Sequence, residues 1–265
     1  MVRTTQRVQF PGHADNLLAG ILELPAETPQ GFLLFSHCFT CTKDLKAIVR
    51  ISRGLADKGW GVLRYDFSGL GNSQGVFRTT NFTTNREDLR AAVAFLAREY
   101  QSPAFLMGHS FGGATSLSMA MELPAVQGVI AVASPSDTHH LASLLEKLNP
   151  EITSRGEGSV TIGGRNHHVE LQMLENFRSY DLSTAVRLIS KPILAFHSPT
   201  DETVEFRNAL VNCGLDSPTQ GTIASGRSLI RLPNCNHLLT TNDADCVMVA
   251  EITDAWCRRF VGVHS

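Results

Sequence analysis

The chain has 265 residues, 43% of them hydrophobic and 18% charged, with a formal net charge of −2. That composition suits a soluble globular core and argues against disorder, and one domain with an insertion is the natural size reading. The near-neutral balance lacks the basic excess that phosphate binding demands, and no apolar run reaches the roughly 20 residues needed to span a bilayer, so neither a nucleic acid nor a membrane is an expected partner.

In chain order, Met1–Arg7 lacks the apolar core of a signal peptide, so the cytoplasm is the expected location. Arg7 to Leu24 reads as two antiparallel strands around the polar turn His13-Ala14-Asp15-Asn16. Apolar strands then alternate with amphipathic helices, which predicts an α/β class and a mostly parallel central sheet with helices on both faces. Gly31–Ser36 is a continuously apolar strand, followed by a predicted helix from about Lys43 to Lys58 that Gly59 ends. Gly61–Tyr65 is a strand, and Thr83–Tyr100 a helix with Leu89, Ala92, Val93 and Leu96 on one stripe. Ala104–Met107 is a strand, a helix of small residues starts at Ser110, and Val126–Val132 is another buried strand.

The alternation breaks from about Asp137 to Ile189, where helical patterns flank a polar hairpin around Gly163-Gly164. The whole chain, 1–265, is therefore expected to be a single domain with a cap-like insertion at about 137–190. The pattern resumes with strands at Pro192–Phe196 and Ser228–Leu232, and Asp243–Phe260 is a closing helix.

Gly108-His109-Ser110-Phe111-Gly112-Gly113 fits G-x-S-x-G between an apolar strand and a helix. A sharp strand-to-helix turn there would hold a serine hydroxyl exposed at a helix N-terminus, with glycines letting the backbones pass closely. The plain alternative is a serine capping an ordinary helix. A hydroxyl is a weak nucleophile near neutral pH and needs a base, itself oriented by an acid. In this arrangement the partners follow in the order serine, acid, histidine. Asp201, straight after the Phe196 strand, is the expected acid; Glu202 is the adjacent alternative, Asp137 an earlier one, and a helix cap the plain reading of Asp201. Of the ten histidines, His237 occupies the loop between the last strand and the closing helix, and is the expected base. His197 ends a strand before the acid, His109 sits in the elbow, His167 and His168 fall in the polar hairpin, and His13, His139, His140 and His264 have no motif context.

A tetrahedral intermediate needs donors for its oxyanion. The backbone N–H of Phe111 is one expectation and that of Phe39, in the loop after the Phe32–Ser36 run, the other; Cys38 or Thr40 replaces Phe39 if the register shifts by one. Among the six cysteines, reduced and mostly buried thiols are expected. The Cys38-x-x-Cys41 pair leaves two further readings open, a redox pair or half of a zinc site with Cys235 and His237. Asp66–Gln74 holds G-x-G but no opening helix, which favours a structural turn over a dinucleotide site. No cofactor and no metal are expected, only a small-molecule acyl substrate. Nothing in the sequence sets the oligomeric state.

The runs Phe35–Asp44, Arg64–Ser73 and Gly108–Gly113 together resemble bacterial α/β hydrolases, and more narrowly the hydrolase half of bifunctional α/β hydrolase/OsmC fusion proteins. Where most α/β hydrolases carry His-Gly, this chain has His37-Cys38. The resemblance implies the α/β-hydrolase fold and an esterase-like activity. No OsmC half, which carries the peroxidase cysteines of the fusions, lies in these residues, so it implies no peroxide reduction.

Overall fold

The computed structural model describes residues 2–216 and 226–261; His264 lies outside them. The chain opens with β1 (Thr4–Pro11) and β2 (Leu17–Leu24), then β3 (Phe32–Ser36), α1 (Lys46–Asp57), β4 (Gly61–Tyr65), α2 (Phe82–Glu99), β5 (Phe105–His109), α3 (Phe111–Met119) and β6 (Gly128–Val132). Next come α4 (His139–Leu148), α5 (Glu151–Arg155), the hairpin β7 (Glu157–Ile162) and β8 (Arg165–Glu170), α6 (Leu171–Ser179) and α7 (Leu182–Arg187). β9 (Ile193–His197), α8 (Arg207–Cys213), β10 (Arg227–Arg231) and α9 (Asp243–Cys257) complete it.

Eight strands form one sheet in the order β1-β2-β4-β3-β5-β6-β9-β10. β1, β2 and β4 pair antiparallel in turn, and every pairing from β4 to β10 is parallel. β3, β4, β5, β6 and β9 are buried at every residue, which is why they read as mostly apolar runs, with Arg64 inside β4 as the exception. Successive side chains still go to opposite faces. Phe32 and Leu34 pack with Leu89, Leu96 and Phe111 on the α2/α3 side, while Leu33 and Phe35 pack with Ile51, Leu55 and Val249 on the α1/α9 side.

Several boundaries differ from expectation, those of α1 and α9 among them. α1 begins at Lys46 rather than Lys43, because the Lys43 N–H and ammonium both bond the Asp66 carboxylate, at 2.7 and 2.8 Å, and hold the chain out of the helix. α9 ends at Cys257 rather than Phe260, and the last three residues continue as turns around Trp256 and Cys257 carbonyls.

Parallel pairing has a geometric consequence for function. The loops after β3, β5, β9 and β10 all leave the sheet at its carboxyl edge, the usual location of ligand sites in such sheets. Those loops carry Cys38–Cys41, Ser110, Asp201 and His237.

Candidate active site

The turn from β5 into α3 is built for close approach. Ser110 has φ 53° and ψ −121°, an unfavourable combination for a residue with a Cβ. A Cβ at Gly108 would run into the Gly112 carbonyl, and one at Gly112 into the carbonyls of Ser36 and His37. Only glycine at both positions lets the helix start directly against β3. The Ser110 N–H is held by the Val132 carbonyl at 2.8 Å. Its hydroxyl makes no cap bond to the helix, so the capping alternative fails. Instead, Ser110 Oγ lies 3.0 Å from His237 Nε2.

His237 Nδ1 lies 2.9 Å from Asp201 Oδ2 and 3.1 Å from Oδ1. Thr203 and Val204 donate their N–H groups to Oδ1 at 2.9 and 2.8 Å. Burial alone would raise the Asp201 carboxyl, but the bond and charge of His237, with those two N–H groups, hold it below the usual carboxylate range. An ionised Asp201 accepts from Nδ1–H, which leaves Nε2 with a free lone pair facing the serine O–H. A hydroxyl, a neutral imidazole and a carboxylate so arranged can move one proton from oxygen to ring without displacing a heavy atom.

Residue 237 is fixed by its backbone as well. Its N–H donates to the Glu202 carboxylate at 3.2 Å, and its carbonyl accepts from His109 Nε2–H at 2.8 Å. Glu202 therefore binds the main chain, not the ring, and the adjacent-acid alternative does not hold. Asp137 instead accepts the His140 N–H at 3.0 Å in the first turn of α4. His197 donates to the Val204 carbonyl at 2.8 Å and stands 3.6 Å from Asp201, behind the carboxylate.

Burial, with the charge of His237 second, drives His109 down to about 3, so it stays neutral across the ordinary pH range. His37 and His197 are lowered as well, again chiefly by burial. The sign follows from linkage: below about pH 6.5 the unfolded chain takes up protons that these folded imidazoles refuse, so stability falls as pH falls. His109 alone is expected to cost about 1.4 kcal/mol between about pH 7.5 and about pH 5.5. Urea unfolding at the two pH values checks this. His109→Gln should flatten the slope, and a slope unchanged in that variant would contradict the assignment.

The loop after β3 borders the serine. His37 is wholly buried, donating Nδ1–H to the Cys38 carbonyl at 2.8 Å and accepting the Phe67 N–H at 3.2 Å. Lys43 Nζ contacts Asp66 at 2.8 Å and Asn72 at 2.9 Å, and the Asn72 N–H donates to Asp66 at 2.9 Å. These bonds tie the β3 loop to the turn after β4, and the G-x-G segment serves as that turn. The Phe39 ring meets the Phe111 ring edge-on at 5.7 Å. Among the described residues the N–H groups of Phe39 and Phe111 find no protein acceptor, and the same holds for Cys38 and Thr40.

Cys38 and Cys41 are joined in a disulfide, with Cα atoms 5.3 Å apart. The expectation of reduced thiols is thus wrong for this pair, and the two sulfurs it would lend to a zinc site are spent on each other. Cys213, Cys235, Cys246 and Cys257 are free and buried. Burial raises all four, Cys213 and Cys235 to about 12, so they are protonated at neutral pH.

Sequence spacing pointed to Ser110, Asp201 and His237, and the fold brings all three together. It did not point to the backbone clamps of Glu202 and His109 or to the Lys43–Asp66 tie. The one available signal was the density of charged and imidazole side chains in the four loops.

The family model described as serine aminopeptidase, S33, matches residues 28–175. The crystal structure of the esterase domain of a Rhodothermus marinus protein is 38% identical, covers 98% of this chain and 100% of its own, and superposes with a TM-score of 0.75. Est1E of Butyrivibrio proteoclasticus, with ferulic acid bound, shares the fold at 20% identity and a TM-score of 0.80 over 96% of this chain and 99% of its own. A mitochondrial palmitoyl-protein thioesterase of Rattus norvegicus is 25% identical over 184 residues, 67% of this chain and 61% of that protein. The matched stretch spans less than two thirds of that thioesterase's length.

Proposed function

Since the chain belongs to the serine aminopeptidase S33 family of α/β hydrolases, we propose that it hydrolyses carboxylic esters or related acyl bonds through Ser110, His237 and Asp201. The observation that carries this reading is the continuous hydrogen-bonded path from Ser110 Oγ through the His237 ring to Asp201. Ser110 Oγ attacks the acyl carbon while His237 Nε2 takes its proton, and Asp201 stabilises the imidazolium. The carbonyl oxygen becomes an oxyanion that accepts from the Phe111 and Phe39 N–H groups. Phe39 is preferred within its loop because its ring rests on that of Phe111. Collapse breaks the bond to the alcohol, which leaves with the proton from His237. Water, deprotonated by the same ring, then releases the acid and restores the serine. No cofactor enters these steps. The likeness to a protein described as an esterase domain favours esters over amides.

The segment 137–190 acts as a cap in this reading, since α6 brings Met173 and Phe177 against Phe39 and Phe111. The test of the function is labelling by a fluorophosphonate. Folded protein should be modified at Ser110, as located by peptide mass spectrometry, and active protein that resists the probe would defeat the proposal.

The disulfide brackets Phe39 and Thr40, and Thr40 is held at φ 59°. In the cytoplasm, the proposed compartment, the thiol pool would work against this bond. Reduction frees the loop that presents the Phe39 donor. Loss of an oxyanion donor costs 10²–10³-fold in enzymes of this kind, so loosening one is expected to lower kcat about tenfold, with KM little changed. Comparing rates before and after dithiothreitol, with Cys38→Ser/Cys41→Ser as control, checks this. Equal kcat in both redox states would contradict it.

A further inference from the structure

Asp201 stands on an irregular stretch, residues 198–206, between the end of β9 and the start of α8. An acid that orients a ring must be held to within about 0.5 Å, and a loop does this only when something rigid supports it. The bonds inside the stretch are local. The Asp201 N–H donates to the Ser198 carbonyl at 3.3 Å, and Ser198 Oγ accepts the Thr200 N–H at 3.2 Å. They shape the turn without tying it to the sheet.

His197 supplies the tie. It is the last residue of β9, in register with Arg231 of β10, and its carbonyl accepts the Leu232 N–H at 2.9 Å. Its backbone therefore belongs to the sheet. Its side chain is 1% exposed and turns back toward the loop, where Nε2–H donates to the Val204 carbonyl at 2.8 Å. Phe206 packs edge-on against the ring at 5.9 Å. Among the described residues no other strand side chain hydrogen-bonds residues 199–206.

Val204 is the link to the acid. Its carbonyl takes the His197 donor, while its own N–H goes to Asp201 Oδ1 at 2.8 Å. One residue thus joins the buried ring to the carboxylate. His197 Nε2 also lies 3.6 Å from Asp201 Oδ2, too far for a hydrogen bond. A neutral imidazole has a single N–H, and here it is spent on a peptide carbonyl. His197 therefore holds the loop without competing with His237 for the acid.

We propose that His197 is a positioning residue for this reaction: its ring pins Val204 to the sheet, and Val204 in turn keeps the Asp201 carboxylate aimed at His237. This rests on the Ser110 hydrolase reading. The probe is 4-nitrophenyl acetate, with rates expressed per serine labelled by a fluorophosphonate at the end point, so that unfolded protein does not count. His197→Leu removes the donor and should lower kcat by roughly 10- to 100-fold, with KM within about twofold of native. The rate of fluorophosphonate labelling should fall in step. His197→Gln can place an amide N–H where Nε2–H stood, and should restore kcat to within about fivefold of native. In an Asp201→Asn background His197→Leu should change kcat by less than about twofold, because the acid it would position is already gone. His197→Asn, whose amide stops short of the Val204 carbonyl, should show the same loss as leucine and replaces it if that variant does not fold.

A kcat per labelled serine within about twofold of native in the leucine and asparagine variants overturns the inference. So does a glutamine variant as slow as the leucine one, or a raised KM with kcat unchanged. A loss as large in the Asp201→Asn background as in the native protein means that the ring acts elsewhere, and also overturns it. Each of these leaves Ser110 labelling in the native protein intact and sinks this inference alone. A native protein that neither cleaves the ester nor takes the label sinks the hydrolase reading with it.

Discussion

Ser110→Ala is expected to lower kcat on short acyl esters by on the order of 10⁵-fold, with the fold intact. In the proposed reaction the Ser110 hydroxyl is the group that bonds covalently to the substrate, and it lies 3.0 Å from His237 Nε2. Alanine leaves the strained turn in place, because Gly108 and Gly112, not the serine hydroxyl, allow the close contacts there. His237→Ala should cost about as much, since an unassisted hydroxyl is a poor nucleophile at neutral pH. The double variant should be no slower than either single one, because the two residues act as one unit and the residual rate comes from binding and the oxyanion donors. Steady-state rates for the three proteins, with far-ultraviolet circular dichroism as the check on folding, test this. Losses that multiply in the double variant would mean that the two residues act independently.

Asp201→Asn is expected to lower kcat by about 10⁴-fold with KM little changed. The carboxamide fits the same space, and its oxygen can still accept from Thr203 and Val204. Its NH₂ then faces His237 Nδ1 and turns that nitrogen into the acceptor. The ring proton moves to Nε2, which points at Ser110 and can no longer take its proton. Fluorophosphonate labelling should slow in parallel with kcat. Stability changes as well. The folded carboxyl lies below its unfolded value, so it stabilises the protein above about pH 4, and that contribution is lost as pH falls through the folded value. The asparagine variant lacks that pH-dependent contribution. A kcat within tenfold of the native value would show that Asp201 does not set the tautomer.

The parts of this protein that the sequence disclosed are those where local chemistry and global position coincide. β3, β5 and β9 are apolar up to their last residues because both faces are covered, and Gly108 and Gly112 flank Ser110 because backbone must pass there. Asp201 and His237 were legible through their order after Ser110 and their place behind strands. What stayed hidden depends on pairings across the fold. Glu202 lies beside Asp201 in sequence, yet it faces the N–H of residue 237 instead of the ring. Lys43 fits a helical pattern, yet Asp66, on another loop, draws it out of the helix. Cys38 and Cys41 are spaced for a bridge or for free thiols alike, and only the Cα separation distinguishes them.

The most direct measurement is of the covalent intermediate itself. Protein quenched in acid during turnover of a 4-nitrophenyl ester and digested should yield the peptide containing Gly108–Gly113 heavier by one acyl group, with the added mass on Ser110. That species should be missing from Ser110→Ala. Acyl groups found on another residue, or turnover by the native protein with no acylated peptide at any time point, would contradict the account.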